Sequence, residues 1–515
     1  MTVHRRNIIV LDTTLRDGDQ SPGFSLGLEE KLIMAGHLEK MGVDIIEAGF
    51  PASSQGQFLA VQAVAGSLKN SAVSAMARAH PSDIRTAGEA IRGAKRGYIH
   101  VSIATSPLHR EMKLGKTRDE ILVMAVESVK YALQFTDLVE VGAEDAVRTE
   151  TGFLREFCNE VTGAGASVVN IADTTGYARP QGFYRLVNGL YKNVSAFREG
   201  KARISVHCHN DTGLALANTL AGLSAGASQA EVTLLGIGER AGNTALEELA
   251  AAMRLRKGNH LYLSLDTRGF ASAARELAEL TGIAIPLCKP VAGRNAFTHG
   301  SGIHQHGMLS SSRTYSVLSP EDFGYPHQRL VLTRNSGVAG LNAVIKELTA
   351  DSICAEYDRD MLRDFKELAD SVRDVTPTDF LTMLAEDGLI QGNIWYLSSY
   401  TCESRVSCRN SYSVTLEIMS MHGRLKKALS QGATLWEAVA SAMKQLFNLE
   451  LRITDFSFTG TGTCGRSLEV LYITAEHEGV VYQDESRGHD LPVLFIRSYL
   501  NIINRISVKY RLTCL

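Results

Sequence analysis

The 515-residue sequence lacks a charge excess: 53 Lys and Arg against 56 Asp and Glu leave a formal net charge of -3. That balance does not suit a polyanion, so nucleic acid is not an expected partner. Its eight cysteines show no C-x-x-C pair and no zinc-finger spacing, which excludes a disulfide scaffold and a thiolate zinc site. No apolar run approaches the roughly 20 residues that cross a bilayer. The opening Met1-Thr-Val-His-Arg-Arg6 leads into a strand-like run and not into a signal-peptide core. A cytoplasmic protein without a membrane partner is the expectation. No G-x-G-x-x-G follows the first apolar run, so the commonest dinucleotide signature is missing too.

What is present is ordinary globular composition, 44% hydrophobic and 21% charged, in a chain long enough for two or three domains. From Asn7 to about residue 256, short apolar runs alternate with helical patterns. Strands are expected at Asn7–Asp12, Val43–Gly49, Ala72–Ala77, Tyr98–Ala104, Leu138–Ala143, Val168–Asp173, Ile204–Asn210 and Gln229–Gly236. Amphipathic or Ala-rich stretches such as Leu28–Met41, Arg118–Phe135 and Leu214–Ala225 separate them. Eight such units predict an α/β fold, a closed parallel (β/α)8 barrel, with chemistry gathered where the strands end.

Polar residues recur at those ends: Asp12 to Gln20 after the first run, Glu47 in the second, His80 after the third, Glu144 and Asp145 after the fifth, and Thr175 after the sixth. The seventh run, Ile204-Ser-Val-His-Cys-His-Asn-Asp211, places His207 and His209 on one face of a strand, where two imidazoles supply two legs of a divalent-metal site. Alone, each of these is as readily a cap or a solvated turn. Their company at one end of one barrel favours chemistry.

Five stretches then carry a resemblance: D-T-T-L-R-D-G-D-Q-S-P-G (12–23), I-E-A-G-F-P (46–51), S-V-H-C-H-N-D (205–211), G-I-G-E-R-A-G-N (236–243) and S-G-I-H-Q (301–305). In that order they resemble the metal-dependent, Claisen-condensing barrels that include the 2-isopropylmalate, homocitrate and citramalate synthases. The resemblance implies condensation of acetyl-CoA with a 2-oxoacid, 2-oxoisovalerate first, in leucine biosynthesis. The alternatives are a sister synthase with another oxoacid, or a decayed regulatory paralogue. It further implies metal ligands Asp17, His207, His209 and Asn243, holding Mn, Mg, Zn or Co. Arg16 is then placed against the developing alkoxide, and His80 and Thr175 on the oxoacid. Glu144 is placed near the reacting carbons. His304 is implied to enter from a partner subunit as a candidate base. Departures from the family pattern fall at Asp19, Phe24, Ala172, Leu235 and His306. The lyase branch carries a reactive cysteine in the Gly-rich loop 292–307, and this chain has none there.

Three domains are expected: the barrel at 1–285, helical linker subdomains at 286–390 and an α+β domain at 391–515. The loop 292–307, with His299, His304 and His306, shows no helical period. Beyond residue 391, strand-like runs at Ile394–Thr401, Ser411–Ile418, Leu449–Phe458 and Ser467–Ala475 interleave with helical runs at Leu435–Leu446 and Leu491–Ile506. Two similar rounds suggest an internal pseudo-repeat. The Gly-rich stretch 459–465 lacks the lysine and spacing of a P-loop. By resemblance this domain supports a homodimer and binds leucine as feedback inhibitor; the alternative is a dimerisation module with no ligand.

Overall fold

The computed structural model describes residues 6–255, 261–325, 332–349, 359–371, 375–390, 393–405, 411–461 and 468–510. The end of the Gly-rich stretch, 462–465, lies outside them. The chain folds as two compact units, Met1–Phe297 with Val317–Gln328, and Thr298–Ser316 with Arg329–Leu515. Among the described residues, no helix is long and apolar enough to cross a membrane.

The first unit contains the expected barrel. Its strands are β1 (Ile9–Asp12), β2 (Ile45–Gly49), β3 (Ala72–Arg78), β4 (Gly97–Ala104), β5 (Leu138–Glu144), β6 (Val168–Asp173), β7 (Arg203–Cys208) and β8 (Gln229–Val232), closed in chain order. Every ladder is parallel. Runs such as Val168-Val-Asn-Ile171 are buried on both faces, as parallel strands under helices must be.

Alternation along the strands sorts the interior into layers. Leu11, Ile45, Ala72, Tyr98 and Val168 form an apolar plug at the amino end. Above it, Glu47, Ser74, His100, Glu140, Asn170, Ser205, Gln229 and Glu231 form a buried polar layer. The reactive-looking residues stand above that layer, at the carboxyl ends.

Two strands stop short of their expected carboxyl ends. β8 ends at Val232, and Leu234–Gly236 is a tight turn with Leu235 at φ 60°. β7 ends at Cys208, and His209 instead bridges to Asn243.

The predicted loop at 292–307 is corrected at its end: within the second unit, Gly302–Ser310 is a helix. Its glycines are close-contact points and not helix breakers. A methyl at Gly302 would meet the Asn335 carbonyl at 2.8 Å, and one at Gly307 would meet the Tyr315 ring at 2.5 Å. The predicted rounds beyond residue 391 each hold one more strand than expected. Sheets β9 (Trp395–Arg405), β10 (Ser411–Ser420), β11 (Leu425–Gly432) and β12 (Arg452–Thr461), β13 (Leu468–His477), β14 (Val480–Gly488) are antiparallel. Helices Leu435–Phe447 and Leu491–Lys509 complete the two rounds.

Candidate active site

The β1 exit turns back sharply because Thr13 O accepts from the N–H groups of Arg16, Asp17 and Gly18. This turn aims Arg16 and Asp17 into the barrel mouth. Arg16 Nε donates to Glu47 Oε2 at 2.6 Å, and Nη1 lies 3.5 Å from Asp17 Oδ1. Glu47 is fully buried, and it also accepts from Thr13 Oγ1 at 2.7 Å and pairs with His100 Nδ1 at 2.7 Å. Burial works to raise its pKa, but Arg16 and His100 together hold it far below the ordinary carboxylate range. His100 responds in kind: burial pulls it down, yet the Glu47 carboxylate brings it up to about 9.

Opposite, His207 Nε2 and His209 Nε2 lie 3.0 Å apart, and Asp17 Oδ2 is 3.5 and 3.8 Å from them. Burial pushes both imidazoles down to about 4, so both are neutral near pH 7. For Asp17, burial opposes ionisation, but Arg16, His207 and His209 outweigh it and keep the carboxyl low. His207 Nδ1 lies 3.0 Å from Glu231 Oε2, and neither atom has a hydrogen-bond partner, while Nε2 faces His209 and Asp17. Asn243 donates to Asp17 Oδ2 at 2.8 Å, and its buried Oδ1 has no hydrogen-bond partner. Two donors at right angles, each about 2.1 Å from an ion, sit about 3.0 Å apart. Two facing lone pairs, one carboxylate and one orphaned amide oxygen therefore fit a divalent cation.

The 236–243 loop delivers Asn243 only because it is glycine-rich. Gly238 (φ 158°) and Gly242 (φ 84°) leave no room for a methyl, which would overlap the Asn243 amide and the Gly236 carbonyl respectively. Arg240 then clasps three strand exits. It donates to Asp211 Oδ1 at 2.7 Å and Oδ2 at 3.0 Å, and to Thr174 O at 2.7 Å.

The other predicted residues are placed as follows. Glu144 ends β5 and accepts from Lys113 Nζ at 2.7 and 2.9 Å, with His109 Nδ1 at 3.3 Å. Thr175 is half-buried in the β6 exit turn. His80 is exposed and caps the helix Pro81–Ala90, accepting from Ser82 N. His304 belongs to the second unit, on the helix Gly302–Ser310, and stacks on Tyr315 with ring centroids 4.2 Å apart. Asp19 points away from the mouth, onto Leu26 N, Gln57 and Lys31.

Sequence reasoning overlooked His100, Glu231 and Tyr315 and gave Glu47 no role. The inward alternation of a barrel strand was the available signal for His100 and Glu231. It follows once Glu47 or His207 is taken to face inward.

Residues 7–277 match the family described as HMGL-like, and residues 291–373 match the homocitrate synthase post-HMGL domain-like family. The chain is 38% identical over 505 residues to the 2-isopropylmalate synthase of Lysinibacillus sphaericus, covering 98% of both chains. It is 38% identical over 494 residues to that of Pyrococcus abyssi, covering 94% of this chain and 99% of the relative. The structure of a hydroxymethylglutaryl-CoA lyase from Pseudomonas aeruginosa aligns at 19% identity with a TM-score of 0.48, over 55% of this chain and 96% of that one. The chain belongs to the 2-isopropylmalate synthase family of HMGL-like barrels.

Proposed function

We propose that this chain condenses acetyl-CoA with 2-oxoisovalerate and hydrolyses the thioester, releasing 2-isopropylmalate and CoA as the first committed step of leucine biosynthesis. The observation that carries the reading is the convergence of Asp17, His207 and His209 within 3.0–3.8 Å, beside a guanidinium held by a buried carboxylate. Those three residues and Asn243 hold a divalent cation, which supplies Lewis acidity toward the keto and carboxylate oxygens of the oxoacid.

The chain's own groups do the rest. Arg16, fixed through Nε, offers its remaining N–H edge to the keto oxygen as it gains charge. Thr175 and His80 bind the oxoacid. The acetyl methyl loses its proton to His304, or to a water held by Glu144. The second unit supports a homodimer, presents His304 to the barrel of the partner subunit and binds leucine as a feedback inhibitor. The division into a barrel at 1–285, a linker region at 286–390 and a regulatory domain at 391–515, in a cytoplasmic enzyme, completes the reading.

The test is CoA-thiol release from acetyl-CoA by metal-loaded protein. It uses 2-oxoisovalerate, pyruvate, 2-oxobutyrate and 2-oxoglutarate in turn, each with and without leucine. Preference for 2-oxoisovalerate and inhibition by leucine are the expected results. Preference for another oxoacid retains the mechanism and overturns the substrate. The rates of Glu144→Gln and His304→Ala variants across pH separate the two routes for the proton.

A further inference from the structure

Lys31 is fully buried, on the first helix of the barrel, Leu28–Lys40. An ammonium in that position needs a close set of acceptors to offset its desolvation. It has four. Nζ lies 2.6 Å from Leu15 O, 2.8 Å from Gln57 Oε1, 3.0 Å from Asp19 Oδ2 and 3.2 Å from Ala48 O. Gln57 Nε2 donates in turn to Asp19 Oδ2 at 2.9 Å, which closes a ring of three side chains. Gly49 makes room for the ring, because a methyl there would sit 2.6 Å from Gln57 Oε1 and 3.3 Å from Lys31 Nζ.

The two backbone acceptors matter most. Leu15 immediately precedes Arg16, and Ala48 immediately follows Glu47. The two segments are therefore tied at Glu47, by the Arg16 ion pair at 2.6 Å and the Thr13 hydroxyl at 2.7 Å, and again by one ammonium bonded to the carbonyls of Leu15 and Ala48. Ties that converge on the Glu47 carboxylate alone let the β1 exit loop pivot about it, and a further tie at the neighbouring position does not. An apolar side chain would fill the same space, but it would not link the two carbonyls.

We infer that Lys31 is a positioning residue for the reaction. Its ammonium locks the β1 exit loop to β2 and so sets the angle at which the Arg16 guanidinium meets the substrate oxygen. The inference rests on the role proposed above for Arg16.

A double-variant cycle on the full-length, metal-loaded enzyme tests it, with kcat and KM read from CoA release. Lys31→Met keeps the stem and removes the three donors. A misplacement near 1 Å at a reacting group costs about 100-fold in rate, so kcat is expected to fall by about that factor. KM for the oxoacid, read at saturating Mn2+, should stay within about threefold, because the loss falls on the transition state. In an Arg16→Gln background, the same Lys31→Met change should lower kcat by less than about threefold, since residues that act as a unit are not additive.

Equal losses in both backgrounds, or no loss in either, would overturn the inference. Should Lys31→Met fail to fold by circular dichroism, Lys31→Gln, which keeps two donors, carries the same cycle with a loss of about 10-fold expected. An Arg16→Gln enzyme as active as the wild type would overturn the role of Arg16 itself. That result is distinct from an additive cycle built on an impaired Arg16→Gln enzyme.

Discussion

The His100–Glu47 pair makes the stability of the barrel depend on pH in a direction that is fixed in advance. Glu47 raises His100 from 6.5 to about 9 against the pull of burial. The folded state therefore holds a proton there that the unfolded chain releases first. Stability from this group is fully present below pH 6.5 and is lost as pH rises to about 9. At 1.36 kcal/mol per unit, the loss is about 3 kcal/mol. Glu140, pushed up to about 8 by burial and by Glu231, and Asp12, pushed up to about 7 by burial, also lose stability as pH rises. The diagnostic is therefore the difference between the wild type and His100→Gln. Because Glu140 loses a stabilising cation in the variant, the net difference between pH 6 and pH 9.5 is expected at about 2–3 kcal/mol. Both tryptophans, Trp395 and Trp436, lie in the second unit, so fluorescence does not follow the barrel. Hydrogen exchange of the β4 amides, protected through ladders to β3 and β5, gives the opening free energy locally. Equal pH slopes for the two proteins would refute the reasoning.

Three further outcomes are expected. Asp17→Ala removes the carboxylate shared by both imidazoles and should abolish metal-dependent CoA release while leaving the far-UV spectrum unchanged; activity near wild type would sink the assignment. Leu235 holds a left-handed φ of 60°, a region that costs an ordinary L-residue about 1 kcal/mol and that asparagine tolerates. Leu235→Asn should therefore raise stability by about that amount in urea titrations, and a loss would show that side-chain packing outweighs backbone strain. Asn504 is fully buried, accepts from Trp395 N at 2.9 Å and donates to Trp395 O at 3.0 Å. Asn504→Ala orphans both backbone groups and should cost about 2–4 kcal/mol, read from tryptophan fluorescence in urea; a loss under about 0.5 kcal/mol would show that water replaces the amide.

The barrel was legible because parallel strands buried on both faces are short β-branched runs, and each run ends in its own cluster of polar residues. The metal-binding face was legible for a related reason. His207 and His209 stand two apart on one strand, and Arg16 and Asp17 are adjacent. The buried layer that supports them was not, because its bonds join residues far apart in sequence: Thr13 and His100 reach Glu47 across 34 and 53 positions. The missed strands have a different cause. In β14 the inward residues are Tyr482, Asp484 and Ser486, a polar series that reads as solvent-facing. Asp484 accepts from Asn501 at 3.0 Å and Ser486 from Ser498 at 2.8 Å, so the last helix satisfies a strand whose pattern alone does not announce one. The helix Gly302–Ser310 was hidden because its glycines, which serve close approach, leave no helical period to read.

The departures from the family pattern take a definite meaning from their placement. Asp19 keeps its carboxylate in the ring around Lys31, and the shorter side chain still reaches Leu26 N at 2.7 Å. Leu235 stands beyond the end of β8, where its N–H donates to Glu247 Oε2 at 3.0 Å and its side chain packs against the barrel core. Neither position contributes an atom to the group formed by Asp17, His207 and His209. A chain that had lost its chemistry would have no need of a neutral imidazole pair, an ionised carboxylate and a doubly tied guanidinium in one buried space. Each carries a desolvation cost that an apolar replacement would remove. The presence of all of them together, with Asp19 and Leu235 outside that group, argues for a working condensing site.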